Sequence, residues 1–215
     1  MATFRQWESL ISPFMRGVPL PAIEDETRNA CIDFMQRTSI DRRVKGDLTY
    51  EPDEPDCALP LVSQHTQVWR CINVWTSAGR VEPRTRPQLD DKYPDGWVGV
   101  TVDDPRLVWG WISLRPSVVR LVPALSVVAT LRVEVAYQPR RRAPQVDDYI
   151  FDLYGEQISW GAMARLMRHA DTPYENLQLS GAYEAKFNGA IDRLSGRGGV
   201  GHNKPRLVSG QDVLT

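Results

Sequence analysis

The residues of this chain that could do chemistry are few and scattered. Gly196-Arg-Gly-Gly-Val-Gly201 matches the GxGxxG pattern and Lys204 follows it, so a phosphate cradle is the first candidate. Such a cradle needs a strand before the glycines and a helix N-terminus after them, so that backbone N–H groups converge on the anion. Here a helical pattern precedes the glycines and Pro205 follows, so the segment reads as a glycine-rich tail. Asp91-Lys-Tyr-Pro-Asp95-Gly96 echoes the start of a calcium loop, but Tyr93 stands where a ligand is needed and Val102 where the closing glutamate belongs. It reads as a turn. His65, His169 and His202 form no HxxxH or HxH pair that would set two metal ligands on one face, and His169 suits a helix C-terminus. Cys31, Cys57 and Cys71 lack CxxC spacing and are expected as buried free thiols. A nucleophile and its base can be assembled by folding alone, yet no GxSxG elbow points to one. The expectation is no catalytic, cofactor-binding or metal-binding residue.

Aromatic residues offer a second chemistry. Trp69, Trp75, Trp97, Trp109 and Trp111 lie in the middle of the chain. They are expected to fill a core between two small sheets; the alternative is a stacking platform for sugars or bases, whose usual basic or amide neighbours are sparse in the sequence. Net charge is -1, from 26 Lys+Arg against 27 Asp+Glu, which argues against holding nucleic acid by counterion release. No apolar run approaches the roughly 20 residues of a membrane span. The N-terminus lacks a basic region followed by an apolar stretch, so synthesis and residence in a cytoplasm is expected.

The elements that must position these residues follow an order of periodicities: a helical block from Phe4 to Thr38, a strand-patterned middle from Lys45 to Tyr137, and a second helical block from Tyr149 to Leu194. That order predicts an α+β fold: a helical bundle (1–40 plus 145–195), an inserted antiparallel β domain (41–138) and an extended C-terminal tail (196–215). Phe4, Trp7, Leu10 and Ile11 predict a short helix ending before Pro13. Pro21 suits the first turn of the next helix, whose core face is Ile23, Thr27, Ala30, Cys31, Phe34, Met35 and Thr38. Asp41 to Pro60 is acidic and proline-rich and reads as an exposed loop. Strands are expected at Trp69 to Trp75, Trp97 to Val102, Leu107 to Leu114 and, with strict alternation, Val127 to Tyr137.

Pro139-Arg-Arg-Arg-Ala-Pro144 reads as a connector with its charge turned outward. Asp147 and Asp148 cap a long helix with ridges on two sides, Ile150, Tyr154, Ile158 and Ala162 on one, Leu153, Trp160, Ala164 and Met167 on the other, which predicts a sandwiched helix. Gly155 and Gly161 inside it suit close approach of a neighbouring helix. After Asp171-Thr-Pro-Tyr, a last helix carries Leu179, Tyr183, Phe187, Ile191 and Leu194 on one face and ends at Gly196.

With the elements in order, nearly the whole chain resembles the head-to-tail adaptor (connector) proteins of tailed bacteriophages, especially short-tailed ones. The resemblance is carried by Val18-Pro-Leu-Pro21 leading into the helix with Arg28-Asn-Ala-Cys-Ile-Asp-Phe34, then Leu121-Val-Pro-Ala and Leu131-Arg-Val-Glu-Val-Ala-Tyr-Gln-Pro139. Tyr154-Gly-Glu-Gln-Ile-Ser-Trp-Gly-Ala162, Leu166-Met, Pro173-Tyr and Tyr183-Glu-Ala-Lys-Phe187 follow. The resemblance implies a virion neck protein without enzymatic activity or cofactor. It implies a ring, commonly a dodecamer, between the portal protein and the tail nozzle protein, through which double-stranded DNA passes without specific binding. By the same resemblance the C-terminal tail docks on the portal, with Leu207, Val208, Val213 and Leu214 as anchors. Copies would meet through Ile150, Tyr154, Ile158, Trp160 and Met167. The rival readings are a carbohydrate-binding β module on a helical stalk and a hydrolase whose triad only folding reveals.

Overall fold

Proline and glycine positions set the first boundaries. In the computed structural model, which describes residues 1–198, the chain opens with β1 (Ala2–Thr3), a 3-10 turn (Phe4–Trp7), α1 (Glu8–Ile11) and α2 (Leu20–Thr38). It continues through β2 (Arg42–Tyr50), β3 (Asp56–Ala58), β4 (Thr66–Thr76), β5 (Gly79–Val81), α3 (Arg86–Lys92) and β6 (Thr101–Val102). A second 3-10 turn (Pro105–Leu107) leads to β7 (Gly110–Arg115), β8 (Val118–Val122), β9 (Ala124–Leu125), β10 (Ala129–Pro139) and β11 (Gln145–Val146). The chain returns to helix in α4 (Asp148–Leu166) and α5 (Leu177–Gly198). The fold is α+β, and it divides into a helical unit, Met1–Ile40 with the chain from Asp147 onward, and a β unit, Asp41–Val146.

In the helical unit, the Gln6 side-chain oxygen accepts the Thr3 N–H at 3.0 Å and starts the first helical turns. Pro13 stops them, and Gly17, at φ 80°, supplies the left-handed backbone that turns the chain towards α2. Pro21 sits in the first turn of α2, where its missing N–H leaves no bond unmade. The buried face of α2 is Ile23, Thr27, Ala30, Cys31, Phe34, Met35 and Thr38, the face its 3.6-residue period marks. Helix α4 buries Ile150, Ile158, Ala162, Met163 and Leu166, and packs against α1, α2 and α5. In α5, Phe187, Ala190 and Ile191 are buried, whereas Leu179 is 47% exposed. The expected stripe is therefore core only in its middle. Nor does Gly196 end the helix: α5 runs to Gly198, because a glycine stops a helix only where its backbone turns left-handed.

In the β unit, β10 is a central strand, paired antiparallel with β2 on one side and β4 on the other. A second sheet has the order β3-β8-β7. Leu131, Val133, Val135 and Tyr137 of β10 pack with Val68, Val74, Trp111, Val119 and Leu121 to form the core. The expected exposed loop from Asp41 to Pro60 is corrected: most of it is strand. Val44, Leu48 and Tyr50 carry an alternation that a bulge interrupts, since 46 and 47 both lie opposite Arg132, and the cations at Arg42, Arg43 and Lys45 hid it. Tyr50 is 1% exposed, and its hydroxyl oxygen accepts the Leu125 N–H at 3.2 Å.

Two further expectations change. Of the strand expected at Trp97 to Val102 only Thr101–Val102 forms, and the strand expected at Leu107 to Leu114 is Gly110–Arg115. Of the five middle tryptophans, Trp97 and Trp111 are buried; Trp69, Trp75 and Trp109 are half-buried. Folding brings in the basic neighbours that the sequence does not place nearby, with the Arg84 guanidinium 4.2 Å from the Trp109 ring and that of Arg132 5.6 Å from Trp75. These cations stack on the rings from within the chain and occupy faces that a sugar or base would need.

Candidate assembly surface

Two contacts fix the helical unit's surface. Trp7, fully buried, donates its indole N–H to the Gly155 carbonyl at 2.9 Å and meets Phe151 edge-on at 4.7 Å between centroids. A Cβ placed on Gly161 would lie 2.7 Å from the Phe187 ring, so only glycine admits α5 this close to α4. Ser180 then donates its hydroxyl to the Ala164 carbonyl at 2.7 Å and accepts from Arg168 Nε at 3.1 Å, while Arg168 also pairs with Glu184. The α4–α5 pair is thus held near the middle of α4 and at its C-terminal end.

What remains outward defines the available surface. Ile150 and Ile158 are fully buried and Met167 is 3% exposed, all within this chain's own core, which corrects the expectation that these three meet a neighbouring copy. Helix α4 packs against α1, α2 and α5, with Ile158 and Ala162 of one ridge and Ala164 and Met167 of the other buried. Tyr154 and Trp160 stay half-buried. Leu153 is 60% exposed and Leu177 66%, so the helical unit still presents apolar side chains to its surroundings. On α5, Lys186 reaches 5.9 Å from the Trp160 ring and 5.3 Å from that of Tyr183.

Each described histidine has its own neighbour within its own unit. His169 Nε2 lies 3.4 Å from Glu26 in the helical unit, and His65 Nε2 lies 3.3 Å from the Gln64 amide nitrogen in the β unit. His202 and Lys204 lie outside the described residues. Among the described residues no group of three or more His, Cys, Asp or Glu could hold a metal ion, and no described helix is long and apolar enough to cross a membrane. All three cysteines are free and buried.

Burial pushes the Cys31 and Cys57 thiols up and Cys71 up from 9.0 to about 12. A thiol raised in the folded state contributes stability that is intact below its unfolded value and is lost as pH climbs from 9.0 towards about 12. The urea midpoint is therefore expected to fall between about pH 8 and about pH 10, and iodoacetamide to label the cysteines only as urea unfolds the protein. Rapid labelling of the native protein at neutral pH would contradict this assignment.

Comparison with known families favours a scaffold. The family described as SU10 adaptor protein matches residues 21–206. The chain belongs to this family of phage head-to-tail adaptors. No curated protein matches the chain. The adaptor is thus a virion structural component, and membership implies contact with other head and tail parts. The match spans both units and takes in the α4–α5 pair. The anchor residues expected in the adaptor's tail, Leu207, Val208, Val213 and Leu214, lie outside the described residues. Arg140 of the connector donates Nε–H to the Thr66 carbonyl at 3.1 Å, while Arg141 and Arg142 are exposed. Sequence reasoning missed Lys186 and Arg193; their spacing on the outer face of α5 was the available signal.

Proposed function

We propose that copies of this adaptor form a ring, commonly a dodecamer in such proteins, between the portal protein and the tail nozzle protein, and that DNA passes through its channel. The family match over 21–206 carries this reading. The exposed Leu153 and Leu177 and the half-buried Tyr154 and Trp160 support it, because they leave apolar surface on the helical unit for a neighbour. Near-neutral net charge also supports it, since a channel that released many counterions would hold DNA instead of letting it slide. The ring has no catalytic step in this reading; its work is to join two assemblies.

The C-terminal tail is proposed to dock on the portal through Leu207, Val208, Val213 and Leu214. Deleting 197–215 is expected to leave the far-ultraviolet circular dichroism and the thiol protection unchanged while abolishing capture by immobilised portal rings. Capture of the truncated protein at the full-length level would refute the tail's role.

A further inference from the structure

We propose that the groove between α4 and α5 receives the acidic, proline-flanked turn at residues 51–55 of a second copy of this chain. The inference rests on the ring reading and names one of its contacts.

The groove is lined by Trp160 of α4 and by Ala185, Lys186, Gly189 and Arg193 of α5, whose helical spacing sets them along one face. Its floor is apolar and its rim is cationic. A Cβ on Gly189 would meet nothing within 4 Å, so the groove is open at its middle. Lys186 and Arg193 are exposed, and among the described residues neither has an acidic partner. Lys186 instead rests over the Trp160 and Tyr183 rings.

The turn has the matching chemistry. Glu51, Asp53 and Glu54 are exposed and without cationic partners among the described residues, whereas the neighbouring Asp56 is held by Arg120 at 2.5 Å. The Glu54 N–H bonds the Glu51 carbonyl at 3.1 Å, and Pro52 and Pro55 flank the pair of carboxylates between them. A turn stiffened in this way loses little freedom on docking. Proline rings stack on tryptophan, and carboxylates complete the charge of an ammonium and a guanidinium. The two surfaces are different patches of one chain, which is what a head-to-tail interface that closes into a ring requires.

Two charge reversals test the contact by sedimentation velocity at low salt. One is Lys186→Glu with Arg193→Glu; the other is Glu51→Lys with Asp53→Lys and Glu54→Lys. All five positions are exposed, so both variants are expected to fold. Each alone is expected to weaken self-association by about tenfold or more. Mixed in equal amounts they should associate again by alternating, since the native turn of one meets the native groove of the other and the two reversed surfaces complement each other. A chain carrying both reversals should associate again, and Gly189→Leu, which fills the groove, should block association without unfolding the protein. Association of the wild type that neither reversal changes would overturn the contact and leave the ring reading standing. Loss with the groove variant alone would overturn the turn as occupant, in favour of another acidic segment of the second copy. A wild type that stays monomeric at every concentration would overturn the ring reading and this contact together.

Discussion

Replacing Trp7 by alanine is expected to destabilise the helical unit by about 3–5 kcal/mol, the range for removing a fully buried large aromatic side chain. Trp7 has no solvent exposure, lies 5.7 Å from Phe4 and 4.7 Å from Phe151 between ring centroids, and bonds the Gly155 carbonyl. Its loss removes dispersion contacts from three elements at once and leaves a cavity that α1, one helical turn long, cannot collapse to fill. Since domains are stable by only about 5–15 kcal/mol, the change consumes a large share of the total. Cys31 lies in the helical unit and Cys57 and Cys71 in the β unit, so alkylation at each site followed by mass spectrometry reads the two units separately. The urea concentration that exposes Cys31 should fall sharply in the variant. An unchanged midpoint at Cys31 would mean that the first helical turns do not hold the bundle.

The second large effect is a contrast between two glycines of the α4–α5 pair. Alanine is favoured over glycine inside a helix by about 1 kcal/mol, so propensity alone predicts that both Gly161→Ala and Gly189→Ala stabilise. The surroundings reverse the sign at one of them. At Gly161 the new Cβ would lie 2.7, 2.8 and 3.0 Å from three atoms of the Phe187 ring, and that ring is itself buried against Phe34 at 6.0 Å. Overpacking of this kind costs about 1–3 kcal/mol and outweighs the propensity gain; Gly161→Leu should cost more. At Gly189 the Cβ meets open space, and the full gain is expected. Thermal unfolding of the two alanine variants should move in opposite directions, and Phe187→Leu should relieve part of the Gly161→Ala loss. Equal shifts of the same sign would show that α5 does not approach α4 closely at Gly161.

What could be read in the sequence follows physical regularity. The core face of α2 was legible because nineteen residues repeat one period between a proline in the first turn and a left-handed Ser39 at φ 49°. Strand β10 was legible because Leu131, Val133, Val135 and Tyr137 alternate without a break. Strand β2 was not, because its bulge shifts the alternation in mid-strand and its edge position surrounds the apolar residues with charge. Helix α3 went unread because seven residues carry too little periodicity; its start depends on the Thr85 N–H bonding the Gln88 side chain at 2.9 Å. The two apolar ridges of α4 were visible, but their partners were not. Ile150 and Ile158 pack inside the chain because α4 comes back against α2, α5 and the N-terminal turns, long-range contacts such as Trp7 to Gly155 that no local pattern reports. The groove at Trp160 and Lys186 escaped for a similar reason, since it exists only once Gly161 lets Phe187 bring α5 alongside α4.

The central claim is that this chain joins head to tail as a ring of its own copies. Negative-stain imaging of purified portal rings mixed with the full-length protein tests it most directly. The account predicts a second ring of density stacked on the portal and coaxial with its channel, absent when the protein is left out. Bare portal rings beside free monomers, at concentrations well above those of the portal, would contradict it.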